Sequence, residues 1–187
     1  MRLNLGAGDD QIEGFFSVDI APPADKVVDL SGPWPWENSS VEMVIAKDVI
    51  EHIGDCGASN KAQALERWYP AWGLGTAGGS MRFRHPLGRI HFMNELWRVL
   101  KPGARATIET PNASRGSGYF QDCTHVSPWC LSSFKYFEHG AFAHTRLAKA
   151  YGITAAFRII ELSERETNGE DPREKAFKIT AILEAVK

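Results

Sequence analysis

Glycines and carboxylates stand where the first strand-like runs of the chain end, and these positions are the first candidates for chemistry. Gly6 and Gly8 follow the run at residues 2–5, and glycine lets backbone amides approach a bound molecule closely. Asp19 ends the next run, where a carboxylate can accept two hydrogen bonds from a diol such as that of a ribose. Three more charged residues end the third and fourth runs: Asp29, Lys47 and Asp48. Together they predict a ligand-binding edge on an α/β sheet.

A histidine in the second half of the chain is the best candidate for acid–base chemistry. His125 can accept a proton near neutral pH, and Asp122 can orient it or act as a second carboxylate. His125 can equally be a loop residue that holds backbone groups, and both interpretations stay open. Glu51 and His52 follow the fourth strand-like run, where a structural capping role is favoured over catalysis.

The three cysteines, Cys56, Cys123 and Cys130, predict neither a disulfide framework nor a metal site. The arrangement of Cys123 and His125 relative to the other two matches no reliable zinc pattern, so no metal ligand is predicted. The chain begins with a strand-like run and has no signal-peptide pattern, and no apolar run approaches the roughly 18 residues of a membrane span. The sequence therefore predicts a cytoplasmic protein without membrane contact.

The elements that must position these residues fit one α/β domain spanning residues 1–187. The chain is 43% hydrophobic and 24% charged, and its length suffices for two packed layers around one core. A helical pattern covers residues 90–100. Strand-like runs lie at residues 2–5, 16–20, 26–30, 41–46, 104–109, 156–163 and 176–186. Because the last two form a hairpin, we expect a mostly parallel sheet with an antiparallel edge.

Two segments outside this framework are candidates for covering a ligand. Residues 54–89 contain seven glycines and little hydrophobic pattern, which predicts an inserted flap. Residues 112–146 follow the predicted fifth strand and contain His125. This second segment is therefore the predicted substrate side.

The order of the motifs resembles that of the class I S-adenosylmethionine-dependent methyltransferases, and most closely their small "type 11" group. The resemblance spans roughly residues 2–110 and is carried by LNLGAG at 3–8, SVDI at 17–20, VDL at 28–30, VEMV at 41–44, DVIEH at 48–52 and ELWRVLKPG at 95–103. It implies a Rossmann-like, mostly parallel seven-stranded sheet with an antiparallel C-terminal hairpin and helices on both faces. It also implies S-adenosylmethionine as cofactor and S-adenosylhomocysteine as product.

The same resemblance implies which residues contact the cofactor. The glycine turn would line the methionine part, Asp19 would bind the ribose hydroxyls, and Asp29 with Leu30 would border the adenine. The residues predicted to contact the cofactor are Asn4, Gly6, Ala7, Gly8, Asp19, Ile20, Asp29, Leu30, Lys47 and Asp48. The family's longer signature has an acidic residue at the position of Asn4 and a further glycine at that of Asp10. Because only seven residues separate the turn from the second strand, a stunted first helix is expected.

The predicted reaction is methyl transfer to an unidentified acceptor. A sulfonium methyl is already activated, so transfer needs in-line positioning and a base for a poor nucleophile. The residues after the fourth run lack the motifs of amino-group and cytosine-C5 DNA methyltransferases. The net charge of −2 also argues against nucleic acid held by bulk charge. A small molecule is therefore favoured over DNA as the acceptor, and the oligomeric state stays open.

Two other function classes share some of these features. A nicotinamide-dependent oxidoreductase also uses a glycine turn and a ribose carboxylate, but Gln11 stands where its third glycine would be, and its carboxylate would lie about 20 residues further on. A non-catalytic cofactor-binding or interaction module is favoured if residues 54–89 form a partner surface rather than a lid.

Overall fold

A single seven-stranded sheet organises the molecule, for which the computed structural model describes residues 1–54, 88–168 and 175–187. The strands are β1 (Arg2–Leu5), β2 (Phe16–Asp19), β3 (Lys26–Val27), β4 (Val41–Lys47), β5 (Leu100–Gly116), β6 (Phe157–Asn168) and β7 (Lys175–Ala185). Their spatial order is β3-β2-β1-β4-β5-β7-β6. Pairings among β1 to β5 are parallel, and β7 is antiparallel to both β5 and β6. The predicted mostly parallel sheet with an antiparallel C-terminal hairpin is confirmed.

The described helices are short apart from two. They are α1 (Gly88–Val99), α2 (Gly118–Gln121), α3 (Leu131–Phe134) and α4 (Phe142–Tyr151), with 3₁₀ helices at Ile50–His52 and Lys135–Phe137. None of these helices has the length and apolar character needed to span a membrane.

The core lies around the central strands, where β1 is buried along most of its length. Leu3 and Leu5 are fully buried, and α1 contributes Phe92, Met93 and Leu96. Three consecutive residues of β1 are buried, Leu3, Asn4 and Leu5, so both faces of this strand are covered, as is typical of parallel sheets. This packing fixes the position of the strand ends, where the candidate residues lie.

Several predicted boundaries are corrected by tertiary pairing. β5 was expected to end near residue 109, but Thr110 and Pro111 continue to pair with Ile179 and Lys178 of β7. Ser127 and Pro128 predict the start of a short helix over residues 129–137, but the structure divides this segment between α3 and a 3₁₀ turn. β3 covers two residues of the run expected at 26–30. Residues 6–15 contain turns and no helix, so the stunted first helix is replaced by a loop.

The predicted flap lies almost entirely outside the described residues. Only Gly54 and the first residues of α1 belong to the described part of residues 54–89. Cys56 lies outside it as well.

Candidate functional site

A cavity of about 640 Å³ opens at the carboxyl ends of β1 to β4, the edge at which open α/β sheets bind ligands. Of the residues predicted to contact a cofactor, six line it: Gly6, Asp19, Ile20, Asp29, Leu30 and Asp48. The other described lining residues are Val28, Ser31, Val49, His52, Ile53, Gly54 and Val126. The structure therefore brings the ends of four strands to one wall and adds Val126 from the segment after β5.

Gly6 is required by both backbone conformation and space. Its φ is +64°, a left-handed conformation that favours glycine. A Cβ at this position would lie 2.1 Å from Cγ2 of Val49. The turn after β1 can therefore approach the segment after β4 only if residue 6 has no side chain.

Asp19 is held in place by the backbone around it. Its Oδ2 accepts a hydrogen bond from the Gly8 amide at 2.9 Å, and its Oδ1 accepts one from the Ala21 amide at 3.2 Å. Each carboxylate oxygen keeps a second lone-pair site. Asp19 is thus pre-oriented at the cavity wall and retains the capacity to accept two hydroxyl groups.

Asp48 adopts a strained conformation at the end of β4. Its φ is +52°, a region that Asp visits more readily than most residues but still at some cost. Its amide donates to the Glu109 carbonyl at 3.0 Å, and its carboxylate forms an ion pair with Lys178 of β7. β5 therefore holds the backbone of Asp48 and β7 holds its carboxylate at the cavity wall.

Four residues predicted to contact the cofactor do not belong to the described wall of this cavity. Asn4 is buried and its amide nitrogen donates to the Asp10 carbonyl at 2.7 Å, which closes the turn after β1. Ala7 is buried, Gly8 donates to Asp19, and Lys47 lies 3.6 Å from the Asp10 carboxylate. These residues shape the turn or lie beside it.

Glu51 is a fully buried carboxyl group next to this cavity. Its Oε2 accepts a hydrogen bond from the Thr110 hydroxyl at 2.9 Å, whereas Oε1 has no partner among the described residues. Burial is the main reason that the pKa of Glu51 rises from 4.5 to about 7. The helix-capping role expected for Glu51 does not describe this environment, because its side chain is buried against β5.

His125 lies close to Glu51 and His52. Its Nδ1 lies 2.7 Å from the Tyr119 carbonyl, which can only accept, so this nitrogen donates and Nε2 carries the lone pair of the neutral ring. Its ring centroid is 4.8 Å from that of His52. The structure also places Nε2 3.7 Å from Oδ2 of Asp122, so the two predicted catalytic residues are brought together.

Hydrogen bonds on both sides of His125 hold its loop in place. The amides of Val126 and Ser127 donate to the Glu51 carbonyl at 2.9 and 2.8 Å. Thr124 donates through its hydroxyl and amide to Asp122, and these hydrogen bonds lower the pKa of the Asp122 carboxyl. Asp122 therefore stays ionised beside His125 under neutral conditions.

A second cavity of about 350 Å³ lies on the predicted substrate side. Its described lining is largely aromatic and includes Trp129, Tyr136, Phe137 and Tyr151, with Arg89 at its wall. The indole nitrogen of Trp129 donates to the Ile50 carbonyl at 3.4 Å. The segment 126–129 therefore borders both cavities, since Val126 lines the first and Trp129 the second.

Known structures resemble this one along almost the whole length of this chain, although the sequence identities are only 10–13%. A candidate methyltransferase of Bacillus halodurans matches with a TM-score of 0.58 and 10% identity over 100% of this chain and 92% of its own. An S-adenosylmethionine-dependent methyltransferase of Methanosarcina mazei matches with a TM-score of 0.55 and 13% identity over 99% and 92%. The chain has the class I methyltransferase fold.

A third structure with this fold carries ligands. It is the 1,6-didemethyltoxoflavin-N1-methyltransferase of Burkholderia thailandensis with bound 1,6-didemethyltoxoflavin and S-adenosylhomocysteine, with a TM-score of 0.53, 10% identity, and coverage of 100% of this chain and 71% of that one. No protein-family model and no curated protein sequence matches this chain.

Within the methyltransferase fold, sequence reasoning missed the part of the site around Glu51. The available signal was that Glu51 follows β4 and that Thr110 belongs to β5. These two strands are parallel neighbours, so their carboxyl ends meet at one edge of the sheet. No comparable sequence pattern predicts the position of Val126, because only the folded loop brings this residue back onto Glu51.

Proposed function

We propose that this protein is a methyltransferase that transfers the methyl group of S-adenosylmethionine to a small-molecule acceptor. The observation that carries this proposal is the cavity at the ends of β1 to β4, where the Gly6 turn and the pre-oriented Asp19 carboxylate share one wall. Asp19 would accept hydrogen bonds from the two ribose hydroxyls, and Asp29 with Leu30 would border the adenine. The class I methyltransferase fold supports this assignment.

Strand order argues against the rival oxidoreductase function. Dinucleotide-binding domains have the order 3-2-1-4-5-6 with a mostly parallel sheet. Here β7 is inserted between β5 and β6 and is antiparallel to both. Together with Gln11 in place of a third glycine, this arrangement favours a methyl donor over a nicotinamide cofactor.

The acceptor is proposed to approach from the side of His52, His125 and Val126. The second cavity supports a small acceptor, because about 350 Å³ lies within the usual range of sites for small molecules. Its aromatic lining favours a planar, partly apolar compound. We propose that the body of the acceptor occupies this cavity and that its reactive atom points past Trp129 toward the cofactor.

The chemical step requires little from the protein beyond positioning and proton removal. S-adenosylmethionine supplies a methyl group on positively charged sulfur. The acceptor atom bonds to the methyl carbon, the carbon–sulfur bond breaks with its electron pair moving to sulfur, and the acceptor proton moves to His125 Nε2. Asp122, 3.7 Å away, would stabilise the protonated ring.

Calorimetry on the purified protein tests the cofactor. S-adenosylmethionine and S-adenosylhomocysteine should bind and NAD should not. Asp19→Ala should weaken binding by about 1.5–3 kcal/mol, which is roughly 10- to 150-fold, because hydrogen bonds to a charged group are lost. Asp9→Ala is the matched control, since Asp9 is an exposed carboxylate in the turn after β1 and does not line the described cavity wall. Equal affinity in wild type and Asp19→Ala would refute the assignment of the ribose site.

Transfer of a labelled methyl group tests the reaction. The protein is incubated with methyl-labelled S-adenosylmethionine and fractions of small aromatic metabolites, and the labelled product is isolated. Tyr136→Ala should abolish or weaken the response to the acceptor and leave cofactor affinity unchanged, because Tyr136 lines only the second cavity among the described residues. Labelling of nucleic acid instead would overturn the small-molecule acceptor.

A further inference from the structure

Glu51, His52 and His125 form a compact group of metal-ligating side chains that the cysteine pattern gave no reason to expect. One ligand atom from each lies within 4.8 Å of the other two. In the described part of the chain, this is the one such group of three or more histidine, cysteine or acidic residues. We propose that these residues bind a divalent transition-metal cation such as Zn²⁺, Mn²⁺ or Co²⁺.

The unpaired oxygen of Glu51 is the strongest indication of a bound cation. Glu51 has 0% exposed surface, and its Oε1 has no hydrogen-bond partner among the residues described. An unpaired buried carboxylate is costly, and coordination to a metal is one of the few ways to compensate it. Oε2 is already oriented by the Thr110 hydroxyl at 2.9 Å, so Oε1 is the oxygen available to a ligand.

Each of the two histidines makes a hydrogen bond through Nδ1 that fixes the tautomer of the neutral ring. His125 donates from Nδ1 to the Tyr119 carbonyl. The Thr124 hydroxyl gives its one proton to Asp122 at 2.6 Å, so its contact of 3.1 Å with His52 must have the His52 Nδ1 as donor. Each neutral ring therefore keeps Nε2 as an acceptor. A hydrogen bond from the second ring nitrogen is the usual support of a metal-ligating histidine.

The chemistry of the donor set selects the cation. Two imidazoles and one carboxylate suit Zn²⁺, Co²⁺ and Mn²⁺, whereas Mg²⁺ prefers oxygen ligands alone. Two ligands on one tetrahedral Zn²⁺ are about 3.3 Å apart, given metal–ligand distances near 2.0–2.1 Å. The group must therefore contract slightly, and the exposed side chain of His52 has room to do so.

The place of this group gives the cation a role that rests on the proposed function. His52 lines the cofactor cavity, and the His125 loop borders the acceptor side. Three protein ligands leave coordination positions open for an acceptor oxygen or nitrogen, and a bound cation lowers the pKa of a group that it holds. The cation would then replace His125 as the group that activates the acceptor: the bound acceptor would lose its proton to solvent water, and its lone pair would then attack the methyl carbon as the carbon–sulfur bond breaks.

Titration of the chelator-treated, full-length protein with Zn²⁺, Mn²⁺ and Co²⁺ tests the site, with calorimetry and the visible spectrum of bound Co²⁺ as readouts. We expect one cation per chain and a rise in melting temperature on binding. His52→Ala and His125→Ala should each weaken binding by more than about 100-fold, and Thr124→Val, which removes the hydroxyl that contacts His52 and Asp122 but no proposed metal ligand, by about 10- to 100-fold. His139→Ala should bind normally, since His139 is exposed and its ring lies beside His144, away from this group.

The metal-site proposal is refuted if no cation binds to folded protein, or if cation affinity is unchanged in both His52→Ala and His125→Ala. Thermal melts identify variants that fail to fold. If an alanine variant fails to fold, the affinity of Thr124→Val for the cation tests the site in its place. Titration with S-adenosylmethionine in parallel separates the two proposals, because wild-type protein that binds the cofactor but no cation refutes the metal site alone.

Discussion

The proposed cofactor side and the proposed acceptor side of the site are built in different ways. The cofactor side uses Gly6, Asp19 and Asp29, which follow three consecutive strand-like segments near the N-terminus. The acceptor side joins Glu51 to Thr110, 59 residues away, and to the loop of His125. The first side depends on backbone turns that each strand end supplies locally. The second depends on a buried polar cluster, which is costly to form and therefore indicates a role beyond stability.

Removal of His125 should give the largest difference between the two sides. With an acceptor in hand, His125→Ala should slow the chemical step by about 10²- to 10⁴-fold, whether the ring takes a proton or holds a cation. Cofactor affinity should remain nearly constant, because His125 does not line the described wall of the cofactor cavity. Single-turnover kinetics and calorimetry measure the two quantities. Normal turnover with a lower melting temperature would show that His125 is structural, and His139→Ala serves as the control.

A methyl group at Gly6 should damage the cofactor side through the backbone. Gly6→Ala combines an unfavourable φ with a Cβ placed 2.1 Å from Val49, and we expect it to lower the free energy of unfolding by about 2–4 kcal/mol and to impair cofactor binding. At Gly14 φ is +79°, but no atom of the described residues lies within 4 Å of an added Cβ, so Gly14→Ala should cost only about 1–2 kcal/mol. Urea denaturation measures both, and equal losses would contradict the steric explanation.

Glu51 should make the stability of the metal-free protein depend on pH. Its pKa rises from 4.5 to about 7 in the folded state, so between these values the folded chain binds more protons than the unfolded chain. Stability should therefore fall as pH rises through this window, by up to about 3 kcal/mol, and level off above it. Melting temperatures from pH 4.5 to 8 in the presence of a chelator measure this effect. Glu51→Gln lacks the titrating group, so an unchanged pH profile in this variant would contradict the assignment.

The accuracy of sequence reasoning follows the same division of the molecule. The first four strands were placed from apolar runs and from the glycine or carboxylate that ends each one, and six of the ten residues predicted to contact the cofactor line the cavity. The boundary of β5 was wrong because Thr110 and Pro111 are held in the sheet by β7. That pairing joins residues almost 70 positions apart, and no local pattern at Pro111 reports it.

By itself, the sequence determined the order of strands and helices, the C-terminal hairpin and the candidates on the cofactor side. Those features depend on hydrophobic periodicity and turn chemistry, which act over a few residues. Only the tertiary structure decided that Glu51 is buried with one oxygen that has no partner among the described residues, that His52 and His125 meet beside it, and that Asp48 pairs with Lys178. These contacts arise because parallel pairing aligns the ends of β4 and β5 and a later loop folds back onto them. Burial and distance, unlike turn propensity, are properties of the folded chain as a whole.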